Sequence, residues 1–484
     1  MNAWTAGRRM EWSGLATLAV AKLVLLAVFG PLTEFDWGSY SDFADIILHQ
    51  RAWLSDAGLS GNATPMTIFR SMGYPLVVAG FRGVFGDGPS HLVLLVLFQI
   101  AASLGVTVLV WRLALAVLGS RRLALLAAAG HATAIGVLYD QMLLSDSLYS
   151  SLFITCWSVP LIGLLERRPA GRAMLAGLGG LFAFSCLIRG TGLPFVVFVL
   201  PAMVAWARIG RRAGPWVVAV AIFLAPVVAT IGTLTVWNHA RSGSWVMTTG
   251  AQFVMIQPLV KAAGRGHDVF DGDTPIDVLA HERLKTYQYP EVVEIVGDLF
   301  SRYHLDAVAS AELHKQVYFR AWRRHPWAMV ENTVNNFNNS VILQFLDPLD
   351  NASFYARLAT GHRLVPADIP HAMEAFKDGD AVAVALFVAA IPLRIGAYGL
   401  MAVLALGGLG LLGRSVRTRP AREAVAAVWL WAMFFGYTLS LCAIHMVGRF
   451  MPAILPAGLI AALFLARPLF AALPFRRRCT VSHV

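Results

Sequence analysis

Ten long apolar runs, separated by short polar segments, constrain the fold of this chain more than any other feature of the sequence. Each run approaches the roughly 20 residues that an α-helix needs to cross the hydrocarbon core of a bilayer. Because lipid offers a peptide backbone no hydrogen-bonding partner, such runs must be helical. We therefore predict an all-α polytopic membrane protein. The runs lie at residues 12–32, 91–117, 122–139, 147–165, 173–188, 191–207, 216–236, 396–413, 423–443 and 450–467.

The charge composition indicates the same class of protein. Only 14% of the 484 residues are charged and 57% are hydrophobic, whereas soluble domains carry about 25% charged residues. The formal net charge of +11 would suit a nucleic-acid-binding protein, but the arginines lie in short segments between the apolar runs, which is a pattern of membrane topology. We therefore predict no nucleic-acid partner. Arginine outnumbers lysine and alanine is abundant, a bias that fits a GC-rich bacterial genome.

The basic segments predict the orientation in the membrane. With ten spans they all fall on one side, and by the positive-inside rule that side is the cytoplasm. Both termini then lie inside the cell, and residues 33–90 and 237–395 lie on the outer face of a bacterial inner membrane. The segments contain Arg8 and Arg9, Arg121 and Arg122, Arg167, Arg168 and Arg172, Arg208, Arg211 and Arg212, Arg414 to Arg422, and Arg476 to Arg478.

This topology divides the chain into three parts. Residues 1–236 form an N-terminal transmembrane module that includes the first outer loop, 33–90. Residues 237–395 form a large outer region with interfacial helices, and residues 396–484 form the C-terminal transmembrane helices with a basic cytoplasmic tail. Within the outer region, the apolar stretch 381–395 is too short to span and is predicted to lie in the membrane interface.

Three aspartates on the predicted outer side are candidate acid–base groups. Asp36 and Asp42 follow the first span, and Asp146 heads the fourth. Asp42 falls on the polar side of a helix-like stretch with one apolar face, where solvated charge is the ordinary explanation. A carboxylate at a helix start is favoured by the exposed amides and the helix dipole, so capping accounts for Asp146 as well as a functional role does.

Three arginines share this outer side. Arg70 lies in the first outer loop, while Arg189 and Arg449 each break the positive-inside bias in a short outer turn. A single outer arginine can simply extend to the lipid headgroups. Three on one face favour an anion-binding pocket instead, because guanidinium groups bind phosphate through paired, charge-assisted hydrogen bonds.

A series of motifs resembles a known family in order and in placement. Asp36-x-x-x-Tyr40-x-x-x-Ala44 resembles the first outer loop of GT-C glycosyltransferases, in particular the lipid A aminoarabinose transferase and protein O-mannosyltransferase group. The segment Arg70-x-x-Gly73-Tyr74-Pro75 resembles their R-x-P-G-Y-P sequence, with Met72 in place of the usual proline. Further similarities are Phe85-Gly86, Leu144-Ser145-Asp146 with Asp for the usual Glu, Asn238-x4-Gly243 with Thr248-Thr249-Gly250, Ala321-x4-Pro326, and Arg449-Phe450-x-Pro452 with Pro456.

The resemblance, which covers most of residues 10–467, implies a GT-C fold and a specific reaction. A sugar passes from a polyprenyl-phosphate donor in the outer leaflet to a lipid, glycan or protein acceptor. Carried over by position, Asp36 is the base that accepts the proton of the attacking hydroxyl, and fixed cations stabilise the leaving phosphate. The predicted site residues are Asp36, Asp146 and Asp42 for catalysis, Arg70, Arg189 and Arg449 for the donor phosphate, and Tyr40, Tyr74 and His445 for the substrate pocket.

A cofactor and two other functional classes stay open at this point. The sequence has no cluster of His and carboxylate ligands at recognisable metal spacing, but some GT-C enzymes bind a divalent ion at the corresponding aspartates, so the resemblance allows one at Asp36 and Asp146. A secondary transporter would also be polytopic, although it should show two related halves, and no repeat is visible. A non-catalytic cell-envelope assembly protein would keep the outer motifs without activity.

Overall fold

The structure, a computed structural model, describes residues 3–33, 36–50, 66–133, 136–209, 216–288, 291–342, 354, 355, 358, 373, 376–417, 421–446 and 448–472. Within these ranges the chain is helical and contains no strand. The helices are α1 (Ala3–Phe29), α2 (Trp37–Asp45), α3 (Met66–Phe69), α4 (Gly73–Phe85), α5 (Pro89–Leu118), α6 (Arg121–Thr133), α7 (Gly136–Gln141), α8 (Ser145–Leu165), α9 (Arg172–Ile188), α10 (Val196–Ala207), α11 (Trp216–Ser242), α12 (Gly250–Phe253), α13 (Gln257–Ala263), α14 (Pro275–Leu284), α15 (Val292–Tyr303), α16 (Ala307–Arg324), α17 (Pro326–Phe337), α18 (Ala381–Arg417), α19 (Arg422–Ile444) and α20 (Leu455–Ala472).

Six helical stretches of the described chain are long and apolar enough to cross a membrane. Three shorter apolar helices, Ser13–Phe29, Arg172–Ile188 and Leu455–Arg467, coincide with predicted spans. The all-α polytopic architecture is thereby confirmed, while the count of ten spans stays a prediction. The six stretches are Pro89–Leu118, Ser145–Leu165, Gly190–Ala207, Trp216–Ala240, Ala383–Gly413 and Arg422–Ile444.

One apolar segment differs from the prediction. The described residues of the third predicted span, 122–139, belong to α6 and α7, and residues 134 and 135 lie outside the described chain. The stretch 381–395 is not a separate interfacial element, because it forms the first part of the 37-residue α18. At 1.5 Å per residue this helix is about 55 Å long, well above the roughly 30 Å of a bilayer core. Pro392 lies inside it, and a single proline kinks a helix without necessarily ending it.

The predicted boundaries between the three parts of the chain fall within helices. The boundary between residues 236 and 237 lies in α11, and the boundary between residues 395 and 396 lies in α18. The outer region nevertheless has a hydrophobic core of its own, formed by residues such as Leu259, Phe270 and Met329. The membrane and outer parts are therefore joined by continuous helices.

The membrane part is built around α8, which is buried along most of its length. This helix packs against α5, α9 and α10. Near its start, Tyr149 stacks with Phe153, whose ring contacts those of Phe195 and Tyr437. Aromatic pairs of this kind fix the relative positions of the helices that carry them. The start of α8, where Ser145 and Asp146 lie, is thus held rigidly at one end of the bundle.

Hydrogen bonds attach the outer helices to the end of α19. The amide of Asn336 on α17 donates to the carbonyl oxygen of Cys442 at 2.9 Å, and the hydroxyl of Tyr318 on α16 donates to that of Ala443 at 3.0 Å. Just beyond α17, Ser340 donates to the carbonyl oxygen of Met446 at 3.0 Å. The outer helices are therefore fixed to the backbone on both sides of His445.

Candidate functional site

A cavity of about 540 Å³ lies among helix ends that the predicted topology places on the outer side. Its walls come from Asp36 and α2, from α3 and the residues that follow it, from the start of α8, from the turn after α9 and from the end of α19. The polar part of its lining contains Asp36, Tyr40, Arg70, Ser71, Ser145, Arg189, His445 and Arg449. The apolar part contains Ile188, Phe195, Val197, Phe198, Leu441 and Ile444.

The cavity reaches the outside of the helix bundle between α10 and α19. Val197 on α10 and Ser440 on α19 both line it. Val197 is 58% exposed and Ser440 is exposed as well. Because both helices are candidate membrane spans, this opening would face lipid in a membrane. An apolar chain can enter here while a polar group stays at the charged end.

Asp36 is held between two arginines at this charged end. Arg70 Nη2 donates to Asp36 Oδ1 at 2.8 Å, and Arg449 Nη1 donates to Asp36 Oδ2 at 2.9 Å. Asp36 precedes α2, but its side chain makes no capping hydrogen bond. Its backbone carbonyl instead accepts the hydroxyl of Ser39 at 2.8 Å. Both carboxylate oxygens are therefore left to the guanidinium groups.

The electrostatics of the cluster keep Asp36 ionised. Burial alone would raise its pKa, but the charges and hydrogen bonds of Arg70 and Arg449 outweigh burial and lower the pKa to about 2. Burial likewise opposes the charge on Arg449, and the nearby Asp146 and Asp36 carboxylates overcome it and raise the pKa of Arg449. A carboxylate with so low a pKa accepts a proton poorly, so the cluster as it stands is a clamp.

Asp146 lies behind the cavity wall and not on it. Its side chain is 1% exposed, and Arg189 Nη1 lies 2.8 Å from Asp146 Oδ1. The angle between the two groups is too poor for a hydrogen bond, so the contact is mainly electrostatic. Arg189 itself lines the cavity and packs over the ring of Phe450 at 4.4 Å. The structure therefore places Arg189 between Asp146 and the cavity.

The three predicted pocket residues occupy different positions. Tyr40 lines the cavity, and its hydroxyl lies 3.0 Å from that of Ser145. Tyr74 does not line it, since its side chain is fully buried and its hydroxyl donates to Gln99 Oε1 at 2.8 Å. His445 lines the cavity, and burial, with help from nearby cations, lowers its pKa to about 3. The imidazole of His445 is therefore neutral.

Asp42, the rival of Asp36, is separated from the site. It lies on the exposed side of α2, while Phe43 and Ala44 are buried. It is not part of the cavity lining. The geometry thus brings together Asp36, Arg70, Arg449, Arg189, Tyr40 and His445 from the predicted set, and it leaves Asp42, Asp146 and Tyr74 outside the cavity surface.

The segment after Arg70 is pressed against the turn that carries Arg189. A Cβ on Gly73 would lie 2.5 Å from the backbone nitrogen of Ile188, so no side chain fits there. The amide of Gly190 donates to Ser71 Oγ at 3.0 Å. These contacts explain why glycine and a small polar residue follow Arg70. Ser71 lines the cavity but is not among the residues predicted from the sequence. Its position next to Arg70 is the one sequence feature that could have indicated it.

The site does not fit a resident divalent cation. Both oxygens of Asp36 accept hydrogen bonds from guanidinium groups, and Asp146 is in contact with Arg189. Three cations around two carboxylates oppose the approach of a further positive ion. Among the described residues, no group of three or more His, Cys, Asp or Glu side chains has metal-binding geometry. We therefore assign no step to a metal.

No family model, curated protein or solved structure matches this chain. The class of protein is therefore defined here by the fold and the site alone. It is a polytopic helical protein with a cavity that opens between membrane helices and ends at a carboxylate held by two arginines. Any assignment of activity must therefore follow from the chemistry of this cavity.

Proposed function

We propose that the protein is a membrane glycosyltransferase that moves a sugar from a polyprenyl-phosphate donor to an acceptor on the outer face of a bacterial inner membrane. One observation carries the proposal. A carboxylate, Asp36, lies between two guanidinium groups at the end of a cavity whose other part is apolar and opens between two candidate spans. The motif resemblance described above agrees with this activity.

The two parts of the cavity match the two parts of such a donor. Arginine binds phosphate through a planar fork of donors, and Arg70, Arg189 and Arg449 present three forks to one space. The aromatic and aliphatic lining on the α10 side suits an isoprenoid chain. A volume of about 540 Å³ is within the range of roughly 300 to 1,000 Å³ that holds small-molecule ligands.

The chemistry requires a base and a stabilised leaving group. The oxygen of an acceptor hydroxyl attacks the anomeric carbon, the bond between that carbon and the phosphate oxygen breaks, and polyprenyl phosphate leaves with the bonding electron pair. Asp36 takes the hydroxyl proton. The arginines stabilise the charge that develops on the phosphate.

Donor binding itself prepares Asp36 for this role. The donor phosphate competes with the Asp36 carboxylate for the guanidinium groups of Arg70 and Arg449. Because these two arginines are what lowers the Asp36 pKa, their transfer to phosphate raises that pKa towards the ordinary value. Asp36 then becomes a better proton acceptor when substrate is present.

Mass spectrometry of envelope glycolipids and glycans tests the proposal. A deletion strain should lack a product whose mass exceeds that of a parent compound by one sugar residue. Wild-type protein should restore that product, and Asp36→Asn, expressed at the same level, should not. Full restoration by Asp36→Asn would contradict the proposal.

A transporter is the second candidate, because Lys22 of α1 and Asp140 of α7 form a buried ion pair. Charged residues inside a membrane bundle often mark transport pathways. The pair does not line the cavity at Asp36. A transport function would make Lys22→Met abolish solute uptake or efflux while Asp36→Asn leaves it unchanged.

A further inference from the structure

A second cavity of about 670 Å³ lies next to the first, among the outer helices. Val254 lines both cavities. The exposed residues Glu291 and Asn339 lie on the wall of the second cavity, so it is open to the outside. The two cavities are therefore neighbours, one reached from the lipid side and the other from the outer side.

Lys261 places a positive charge in the wall of the second cavity. Its ammonium group donates to Asn336 Oδ1 at 3.1 Å, which uses one of three N–H donors. No ion pair of Lys261 with a carboxylate occurs in the described part of the chain. Lys261 is near enough to His445 for its charge to help lower the pKa of that imidazole. Lys261 thus lines the second cavity, and its charge acts on His445 in the wall of the first.

Arg265 lines the same cavity as Lys261, but its charge is already paired with other side chains. Its Nε lies 3.3 Å from Glu331 Oε1, and its Nη2 donates to Asn332 Oδ1 at 3.0 Å. Arg265 is therefore paired on both sides of its guanidinium. Lys261, with an amide as its partner, keeps its charge available to a ligand.

Amides and a hydroxyl complete the polar wall. Asn335, Asn336, Asn339 and Ser340 line the cavity from the end of α17 and the turn that follows it. Asn336 and Ser340 also donate to the backbone carbonyls of Cys442 and Met446, on either side of His445, so hydrogen bonds connect this wall to the backbone around a residue that lines the first cavity. Asparagine side chains both donate and accept hydrogen bonds, which suits them to sugar hydroxyl groups.

We infer that the second cavity binds the acceptor of the transfer reaction, and that this acceptor is a glycan or glycolipid headgroup carrying a carboxylate or phosphate near the hydroxyl that reacts. The inference rests on the proposed function. Lys261 binds the anionic group, and the asparagines bind neighbouring hydroxyls. The reacting hydroxyl extends past Val254, which lines both cavities, towards Asp36. A neutral acceptor can accept a hydrogen bond from Lys261 but gains no attraction between opposite charges.

Binding to the full-length protein in lipid nanodiscs tests this site directly. The probes are trigalacturonate for a carboxylate glycan, dihexanoyl phosphatidic acid for a lipid phosphate, and maltotriose as the neutral control. At least one anionic probe should bind about tenfold more tightly than maltotriose, because a hydrogen bond to a charged group is worth about one decade in affinity or more. The anionic probe that binds identifies the source of the charge.

Three variants sharpen the result. Lys261→Gln keeps a hydrogen-bonding side chain without the charge and should weaken the anionic probe about tenfold. Lys261→Arg should keep the affinity within about threefold, since the charge remains. Asn339→Asp changes an exposed side chain, so folding is preserved, and its negative charge should also weaken the anionic probe. The matched control Arg323→Gln removes one charge from the exposed side of α16 and should have no effect.

Equal binding of anionic and neutral probes, or unchanged anionic binding in both Lys261→Gln and Asn339→Asp, would overturn the inference. Failure of the proposed function gives a different result. In that case Asp36→Asn would leave the glycolipid product intact, whatever the probes show. In the expected case Asp36→Asn abolishes transfer and leaves anionic probe binding unchanged.

Discussion

The molecule contains two clusters of opposite charge with very different surroundings. Lys22 and Asp140 are almost fully buried, and their other partners, Ser103 and Ser147, are buried as well. Asp36 and its two arginines are about one-quarter exposed, at 26% and 24%, and all three line a cavity. The first cluster is closed by protein, whereas the second is open to a ligand.

This difference decides what each cluster does. Both carboxylate oxygens of Asp140 have a partner, Lys22 and Ser147. Breaking the closed pair leaves an uncompensated charge in a medium of low dielectric constant. The pair therefore holds α1 against α7. At the open cluster a phosphate can replace Asp36 as the partner of the arginines. The exposure of the Asp36 cluster is what makes it the candidate ligand site.

The largest expected effect is on turnover at the open cluster. Asp36→Asn keeps the size of the side chain and removes the proton acceptor, so the transfer rate should fall by roughly 10² to 10⁴. Asp42→Asn is the matched control, because the same change is made on the exposed side of α2. Transfer rates measured in nanodiscs should separate the two variants. A greater loss with Asp42→Asn would mean that the site is wrongly placed.

The closed cluster should show the opposite behaviour. Lys22→Met leaves Asp140 without its cation and should lower the free energy of unfolding by about 3 to 5 kcal/mol. The double variant Lys22→Met with Asp140→Asn should recover much of this loss. Denaturation in detergent measures the stability, and transfer per folded molecule should stay within about threefold of wild type. Normal stability with no activity would mean that the closed pair takes part in function.

A smaller effect, on stability, is expected where Gly73 of α4 packs against the end of α9 beside the open site. Gly73→Ala places a Cβ against the backbone of Leu187 and Ile188, and this crowding should lower stability by about 1 to 3 kcal/mol. Gly80 lies in the same helix, and a Cβ added there would meet no atom within 4 Å. Gly80→Ala should therefore raise stability by about 0.5 to 1 kcal/mol. Thermal unfolding of both variants checks the predicted difference in sign.

The smallest expected effect is a pH dependence of stability. The Asp36 pKa is lowered from 3.8 to about 2 in the folded protein, so its contribution to stability is complete above about pH 4 and disappears as the pH falls through about 2. The contribution is at most about 2.5 kcal/mol. Wild type and Asp36→Asn should thus differ most near neutral pH and converge in acid. If the difference in stability between wild type and Asp36→Asn did not change with pH, Arg70 and Arg449 would not be lowering the pKa of Asp36.

The membrane architecture and the open cluster were accessible from the sequence. Hydrophobic runs predict helices because lipid leaves the backbone no alternative. The arginine pattern placed Asp36, Arg70 and Arg449 on one side although they are far apart in sequence. Their side chains meet in the structure, which a shared side allows and does not by itself dictate.

Other features depend on packing that no local pattern records. Whether Tyr74 faces the cavity or Gln99 depends on the rotation of α4 against its neighbours. The position of Asp146 behind Arg189 likewise depends on how the turn after α9 lies over the start of α8. Lys22 lies within an apolar run, and only its pairing with Asp140 explains it. The orientation of each of these side chains depends on packing between helices that are far apart in the sequence.

Binding of a polyprenyl monophosphate to the protein in nanodiscs tests the central claim most directly. Arg449→Lys and Arg70→Lys keep the charge and lose the planar fork, so each should weaken binding about tenfold or more. Arg82→Lys is the control, because Arg82 lies in α4 and pairs with Asp45 and Asp87 away from the cavity. We predict wild-type binding that Arg82→Lys preserves. Equal affinity in wild type, Arg449→Lys and Arg70→Lys would contradict the account.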